Sequence, residues 1–373
     1  MTVLVVGAGP VGLTLALALH RQGLSFRHVD AAAEAARQSR ALAIQARTLE
    51  TLDRLGAVAP ILQAALRPEG GVVHLGNSER TLCLSHAVHP RYPSIVILPQ
   101  DRTERLLARV LSEAGVPPVE RGVSLTALDP ATGIVRLLHP DGAAEEVRFD
   151  RVVGCDGAHS AVRKAAGIGF PGGRYDEQFV LADGHAEGLR AAHLQLYPGN
   201  GRPVFLFPLP GGLWRAIAVL PEGTAVPEGD LSVFQRPGMR FFDPTWWSAF
   251  RVSHRLADRF LEGRAVIAGD AAHIHSPVGG QGMNLGMQDA ASLALALPGG
   301  DAAVAEWASR RRAIASRVVR FTDTATGMVL GKTLLTRALR ATALKFLPRI
   351  PPLWRRAERA LAGMDYPPVV PPP

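Results

Sequence analysis

Val3-Leu4-Val5-Val6 is an unbroken aliphatic run, the pattern of a strand buried on both faces. Helical spacing follows over Val11–Gln22, then a second strand over Phe26–Asp30. Ala41–Leu55 has apolar residues at helical spacing, Gly71–Leu84 alternates like strands, and Pro99 precedes a predicted helix over Gln100–Ala114. Arg151–Cys155 reads as a short buried strand ending at Asp156-Gly157, and Ala265–Ala268 as another. From about Gly172 to Arg259 the pattern becomes short β segments with Pro/Gly turns, including Ala192–Tyr197, Pro203–Pro208 and Trp214–Leu220. Met283–Leu297 and nearly everything after Asp301 are helical in spacing, up to a Pro-rich tail. No internal repeat is visible.

The first strand runs into Gly7-Ala8-Gly9-Pro10-Val11-Gly12, a dinucleotide fingerprint. Gly7 permits the tight turn, Gly9 lets backbone approach a pyrophosphate, and Gly12 lets helix pack on strand. The helix N-terminus beyond faces the phosphates with unpaired N–H groups. Asp30 ends the second strand, where a carboxylate takes ribose hydroxyls and disfavours a 2′-phosphate. Near the other end, Gly269-Asp270-Ala271-Ala272-His273 leads through Pro277 to Gly279-Gly280-Gln281-Gly282-Met283-Asn284, a glycine loop opening a helix. One nucleotide signature near each end implies one long cofactor, most simply FAD. A second fingerprint match, Gly167–Gly172, follows a helix rather than a strand and is expected to be a turn.

The fold class expected is therefore α/β: a Rossmann-like FAD-binding domain interwoven with a β-sheet substrate domain, and a helical C-terminus. The FAD-binding domain is discontinuous, over 1–70, 99–171 and 260–300; the β-rich substrate domain takes 71–98 and 172–259. C-terminal helices occupy 301–366, and 367–373 is a flexible Pro-rich tail.

Net charge is +8, but between Arg310 and Arg359 thirteen basic residues stand against Asp323 and Glu358 alone. The basic character belongs to that segment, and a general nucleic-acid binder is not implied. Solvated arginine faces are the first reading of it. A peripheral membrane contact is the second, because Leu334-Leu335, Phe346-Leu347 and Leu353-Trp354 interleave with the arginines. Cys83 and Cys155 lie outside any metal spacing and point to a reducing, cytoplasmic compartment. His273 and His275 form an HxH pair without an evident third ligand, so no metal is expected; they are read as loop residues shaping the flavin bend. No run of about 18 apolar residues exists to span a membrane.

With Gly7–Gly12, Gly154-Cys155-Asp156-Gly157 and Gly269-Asp270 in order, nearly the whole chain resembles the para-hydroxybenzoate hydroxylase family of single-component FAD-dependent aromatic monooxygenases. Further similar stretches are Arg40-Ala41 with Arg47-Thr48-Leu49-Glu50, Pro99-Gln100 with Glu104-Arg105-Leu106-Leu107, and Phe207–Gly212 with Trp214-Arg215. The resemblance implies that Asp270 holds the ribityl chain and that Pro277–Asn284 lies along the flavin ring. It further implies that Gln100 touches the flavin or ribityl, that Arg40 lies near the pyrophosphate, and that Asp156-Gly157 contacts FAD or nicotinamide pyrophosphate. At Asp30 the family more often has Glu. Its chemistry uses NAD(P)H and O2 to hydroxylate a phenol-, quinol- or polyketide-like substrate through a C4a-hydroperoxyflavin, with FAD held non-covalently. The thioredoxin-like domain that some larger relatives append is not expected here. Other flavin reactions on this scaffold, such as polyprenoid reduction or antibiotic inactivation, remain alternatives, as does a non-catalytic flavoprotein. The Trp-x-Trp-x-Ile-Pro pattern of halogenases is missing at Trp246-Trp247.

No catalytic side chain is assigned. Candidate pocket liners are His193, Gln195 and Tyr197 on one strand and Phe205 and Phe207 on another, each set sharing a face by period two. Arg215 is a candidate anchor for an anionic group, and the Pro277 carbonyl a family-analogous contact for a substrate hydroxyl.

Overall fold

The computed structural model describes residues 1–35, 41–75, 78–84, 87–199, 202–277, 279–330 and 351–369. The chain begins β1 (Thr2–Val6), α1 (Pro10–Arg21), β2 (Ser25–Asp30), β3 (Ala43–Gln45), α2 (Ala46–Arg54) and α3 (Val58–Ala64). It continues with β4 (Gly70–Leu75), β5 (Ser78–Cys83), β6 (Ile95–Ile97), α4 (Gln100–Glu113) and β7 (Glu120–Arg121). Then come β8 (Ser124–Asp129), β9 (Ile134–Leu138), β10 (Ala144–Arg148), β11 (Arg151–Gly154) and α5 (Ala161–Ala165). The middle holds β12 (Gly172–Glu187), β13 (His193–Tyr197), β14 (Val204–Pro208), β15 (Trp214–Leu220) and β16 (Arg240–Leu256). Last are β17 (Leu261–Glu262), β18 (Ala265–Ile267), β19 (His273–Ile274), α6 (Gly282–Ala296), α7 (Gly300–Leu330) and α8 (Pro351–Leu361).

Val3–Val6 are buried because β1 is an inner strand of a sheet ordered β17-β18-β11-β1-β2-β7. Its neighbours β11 and β2 run parallel to it, and β11 runs parallel to β18, so each needs a crossover, and Val152-Val153 and Ala265–Ile267 are buried beside β1. Pro10 starts α1, where its missing N–H costs nothing, and the helix buries Leu13, Leu15, Leu17 and Leu19 beneath α4 and α6.

The second large sheet has the order β19-β16-β12-β15-β14-β13-β4-β5. The predicted β region is correct in place but not in scale: β12 and β16 are 16 and 17 residues long, paired to each other with irregular register at Arg174/Gln178 and Asp183/His185. Gly167–Gly172 is the expected turn, between α5 and β12.

Two expectations need correction. Residues 43–45 form a strand paired with β6 instead of the first turn of a helix; a three-residue stretch is too short for periodicity to decide. The meander β8-β9-β10 was not foreseen, although Ile134–Leu138 alternates exposed and buried positions. After α7, residues 331–350 lie outside the described residues, with most of the basic segment's interleaved leucines; so do 370–373 of the tail. No described helix is long and apolar enough to cross a membrane.

Candidate cofactor site

Register brings the motifs together. Val6 pairs with Gly154 and Gly154 with Ile267, so Gly7, Cys155-Asp156 and Gly269-Asp270 leave the sheet side by side at its carboxyl edge. That edge is where open α/β sheets bind ligands. Gly7 has φ +104°, and a methyl group there would lie 2.4 Å from the Cys155 carbonyl oxygen. A methyl on Gly12 would lie 1.8 Å from the Gly7 oxygen, so that glycine lets α1 close onto β1. Gly9 is different: its missing side chain faces open space, with Glu104 Oε1 at 3.9 Å as the near neighbour. No side chain caps α1, so its first N–H groups are presented to that opening. Val11 then interlocks with Gly269 and Gly286, where added methyls would come 2.7 Å from its Cγ2. That contact joins the N-terminal fingerprint to the start of α6. Arg163 Nη1 holds the intervening turn by donating to the Ala271 carbonyl at 2.9 Å.

Asp30 accepts from the Ala8 N–H at 2.5 Å and the Ala32 N–H at 2.7 Å, tying the glycine loop to β2, with Arg121 3.6 Å away. Asp156 Oδ2 accepts from the N–H groups of Ala161 and Val162 at α5, at 2.6 and 3.2 Å. Its Oδ1 is buried without a hydrogen-bond partner, and burial raises its pKa despite those bonds. Gly157 beside it has φ +73° and open space where a side chain would be. Asp270 is exposed in the turn Gly269–Ala271. Gln100 donates its backbone N–H to Ala41 at 3.0 Å and its amide to Glu104 at 2.8 Å. Arg40 lies outside the described residues.

In the glycine loop, exposed Pro277 accepts from the Gly280 N–H at 3.0 Å. Gly282 and Met283 open α6, again without a side-chain cap. Asn284 is fully buried: Oδ1 accepts from the Gln45 N–H at 2.9 Å, and Nδ2 donates to Ala43 and Gly280 at 2.8 and 2.7 Å. Its side chain clamps β3 to the loop. Gln45 Oε1, Gln281 Oε1 and His275 Nε2 are buried around this loop without hydrogen-bond partners. Open glycine edges, two uncapped helix N-termini and these orphaned polar atoms fit a long anionic cofactor such as FAD.

Sequence reading missed a buried cluster behind the loop. Asp289 Oδ2 lies 2.6 Å from His273 Nε2, and Asp289 Oδ1 accepts from Arg311 Nε at 2.5 Å. Although burial opposes it, Arg311 and His273 hold the Asp289 carboxyl below its ordinary range. The signal was present: a lone carboxylate within the apolar α6 must find a partner. His273 stacks on His275 with centroids 6.2 Å apart, and burial pushes His275 down to about 4. Both side chains are buried. Among the described residues no group of His, Cys, Asp and Glu is arranged to hold a metal.

The pocket candidates divide. Pairing places Phe205, Phe207 and Arg215 on one face of the large sheet and His193, Gln195 and Tyr197 on the other. Phe207 packs with Leu42, Ile95 and Ile97, so its face is the one turned to β3 and β6. Tyr197 stacks on His74 at 3.8 Å and Gln195 bonds the same imidazole at 2.9 Å, within the core closed by Phe234 and Phe241. His193, Gln195 and Tyr197 therefore cannot line a pocket with the other set; period two says who shares a face, not where it points. Arg215 is also corrected as an anion anchor. It is 2% exposed and forks onto Asp183 through two bonds of 2.7 Å, the two being cross-strand neighbours. A concavity of about 820 Å³ lined by His20, Arg21 and Arg109 lies at the far ends of α1 and α4, away from all these groups.

Comparison with known proteins agrees with this geometry. The family model described as an FAD binding domain matches residues 1–200 and 232–322. The chain is 36% identical over 388 residues to the 6-methylpretetramide 4-monooxygenase of Streptomyces rimosus, covering 97% of this chain and 68% of that one. It is 34% identical over 306 residues to the pentachlorophenol 4-monooxygenase of Sphingobium chlorophenolicum, covering 78% and 57% respectively. The chain thus spans roughly three fifths to two thirds of the length of these relatives. Among solved structures it is similar to the OxyS anhydrotetracycline hydroxylase from Streptomyces rimosus, with TM-score 0.80 and 32% identity over 98% of this chain and 77% of that one.

Proposed function

The chain belongs to the family of FAD-dependent aromatic monooxygenases of the para-hydroxybenzoate hydroxylase type, and from that premise we propose that it uses NAD(P)H and O2 to hydroxylate an aromatic substrate of phenol, quinol or polyketide-like type. The observation that carries the reading is the meeting of Gly7–Gly12, Asp156-Gly157 and Gly269-Asp270 at one sheet edge, beside the glycine loop that opens α6. When bound, FAD supplies the redox chemistry with hydride and O2; the protein supplies binding, orientation and dryness.

Gly9, Pro10, Val11 and Gly12 present the α1 N-terminus to the diphosphate, and Asp270 holds the ribityl hydroxyls. Gln100 and Asp156-Gly157 border the same cleft. Gly280, Gly282 and Met283 direct α6 N–H groups at the electron-rich edge of the ring, where they stabilise negative charge. Asn284, Gln45 and the Asp289 cluster keep that loop in place. Segments 1–70, 99–171 and 260–300 thereby serve the cofactor, and 71–98 and 172–259 the substrate. The sheet face bearing Phe205 and Phe207 bounds the substrate side, and the Asp183–Arg215 pair stiffens it.

Incubation with NADPH or NADH, labelled O2 and a panel of phenols, quinols and polyketide-like aromatics should yield a product 18 mass units heavier, with one labelled oxygen, where the ordinary gas adds 16. Nicotinamide consumption with a reduced, unoxygenated product would make the protein a reductase on the same scaffold.

A further inference from the structure

Glu104 lies one turn into α4 and is only 6% exposed, yet no described cation is bonded to it. Its Oε1 accepts from the Gln100 amide at 2.8 Å. The same oxygen is the atom a methyl group on Gly9 would meet, at 3.9 Å, so the carboxyl looks into the opening where the fingerprint admits a diphosphate. The other described charges around it are Asp101 on α4, Asp30 at the end of β2 and Arg121 on β7; Arg121 sits 3.6 Å from Asp30. An ionised carboxylate there would face a dianion across a short, half-dry gap, which is repulsive. Burial already raises its pKa, with the Gln100 bond opposing and Asp101 adding.

We propose that Glu104 is a diphosphate-site residue that works protonated: it keeps accepting from Gln100 and donates its O–H to a phosphoryl oxygen of FAD, so that binding takes up one proton. This rests on the assignment of FAD to the Gly7–Gly12 site. A group protonated in the complex and ionised in the free protein makes the Kd flat below its free pKa. Above that pKa the Kd rises up to tenfold per pH unit. His28, 2.9 Å from the Gly7 oxygen, is held below its usual range by burial, which moves its own titration toward the acid end of the window.

The test uses the full chain stripped of FAD and titrated with FAD by flavin fluorescence from about pH 5.5 to 9. Wild type should lose tenfold or more in affinity between pH 6 and 8.5. Glu104→Gln, with a neutral donor in the same place, should stay within about twofold across the range and bind tighter than wild type at pH 8.5. The inference is overturned if Glu104→Gln follows the wild-type slope, or if it binds tenfold worse at every pH, which would mean that the anion is wanted. Calorimetry of wild type in buffers of different ionisation enthalpy gives a second readout independent of any variant. It should show uptake approaching one proton at pH 8.5, and zero uptake there also sinks the idea. Unchanged FAD affinity in Gly9→Val would instead remove the site itself, and the inference with it.

Discussion

Gly9 and Gly12 stand three residues apart in one motif but do opposite work, and single substitutions separate them. A side chain on Gly12 would collide with backbone, whereas one on Gly9 enters free space. Gly9→Val should therefore remain folded, with a melting temperature near that of apo wild type, and lose FAD affinity by tenfold or more. Gly12→Ala should lose stability first. A Gly9→Val protein purified fully yellow would place the diphosphate elsewhere. Asp270→Ala should weaken FAD roughly tenfold, near the lower end for a charge-assisted bond because the carboxylate is exposed. His275 supplies a pH test. Its folded pKa of about 4 lies below the unfolded value near 6.5, so the unfolded chain binds the extra proton, and stability falls as pH drops from about 6.5 to 4. The full loss is about 3 kcal/mol. His275→Asn, which keeps a donor for the Ser276 carbonyl, should show a shallower acid limb in thermal melts of the apoprotein. Equal slopes would clear His275 of that role.

At the scale of elements, α8 bears on the two readings of the basic C-terminus. Glu358 accepts from Ser94 Oγ at 2.7 Å, Ala360 accepts from Gln281 Nε2 at 3.3 Å, and Ala362 accepts from the Arg47 N–H at 3.2 Å. Trp354 Nε1 donates to the Cys83 carbonyl at 3.1 Å, leaving Leu353 exposed at 46%. The helix thus seals β3 and the glycine loop from behind, and Arg311, counted in the same basic run, is neutralised by Asp289. Deleting residues 351–373 should give insoluble or flavin-poor protein. A soluble, active truncation that has lost only binding to anionic liposomes would favour the membrane-contact reading. Elements with strong periodicity, such as α1 and α4, were legible to within a residue or two of their ends. β3 and the β8-β9-β10 meander were not: the first is too short for a period, and in the second β9 carries Ile134 and Leu138 at exposed positions, which erases the hydrophobic alternation.

For the whole molecule, the proposed hydroxylation implies control of when the nicotinamide is used. Reduction without an acceptor would waste NAD(P)H as hydrogen peroxide, so oxidation of NAD(P)H by the FAD-loaded protein should be slow alone and rise at least tenfold with a suitable phenol or quinol. Rapid peroxide production that is indifferent to every aromatic tested would count against a hydroxylase. Residue order alone was enough to find the strand, turn, helix and acid of the fingerprint, the Gly269-Asp270 turn and the glycine loop, because local backbone chemistry dictates which residues can stand there. Chain folding settled the rest. Strand register aligned Val6, Gly154 and Ile267 and so made three distant motifs one edge; sheet pairing turned Phe207 toward β3 and Tyr197 away; and packing gave Asp289 its Arg311 and Asn284 its Gln45. A period along the chain says which side chains share a face. The partner of that face lies far away in sequence and is selected only when the sheets and helices close on one another.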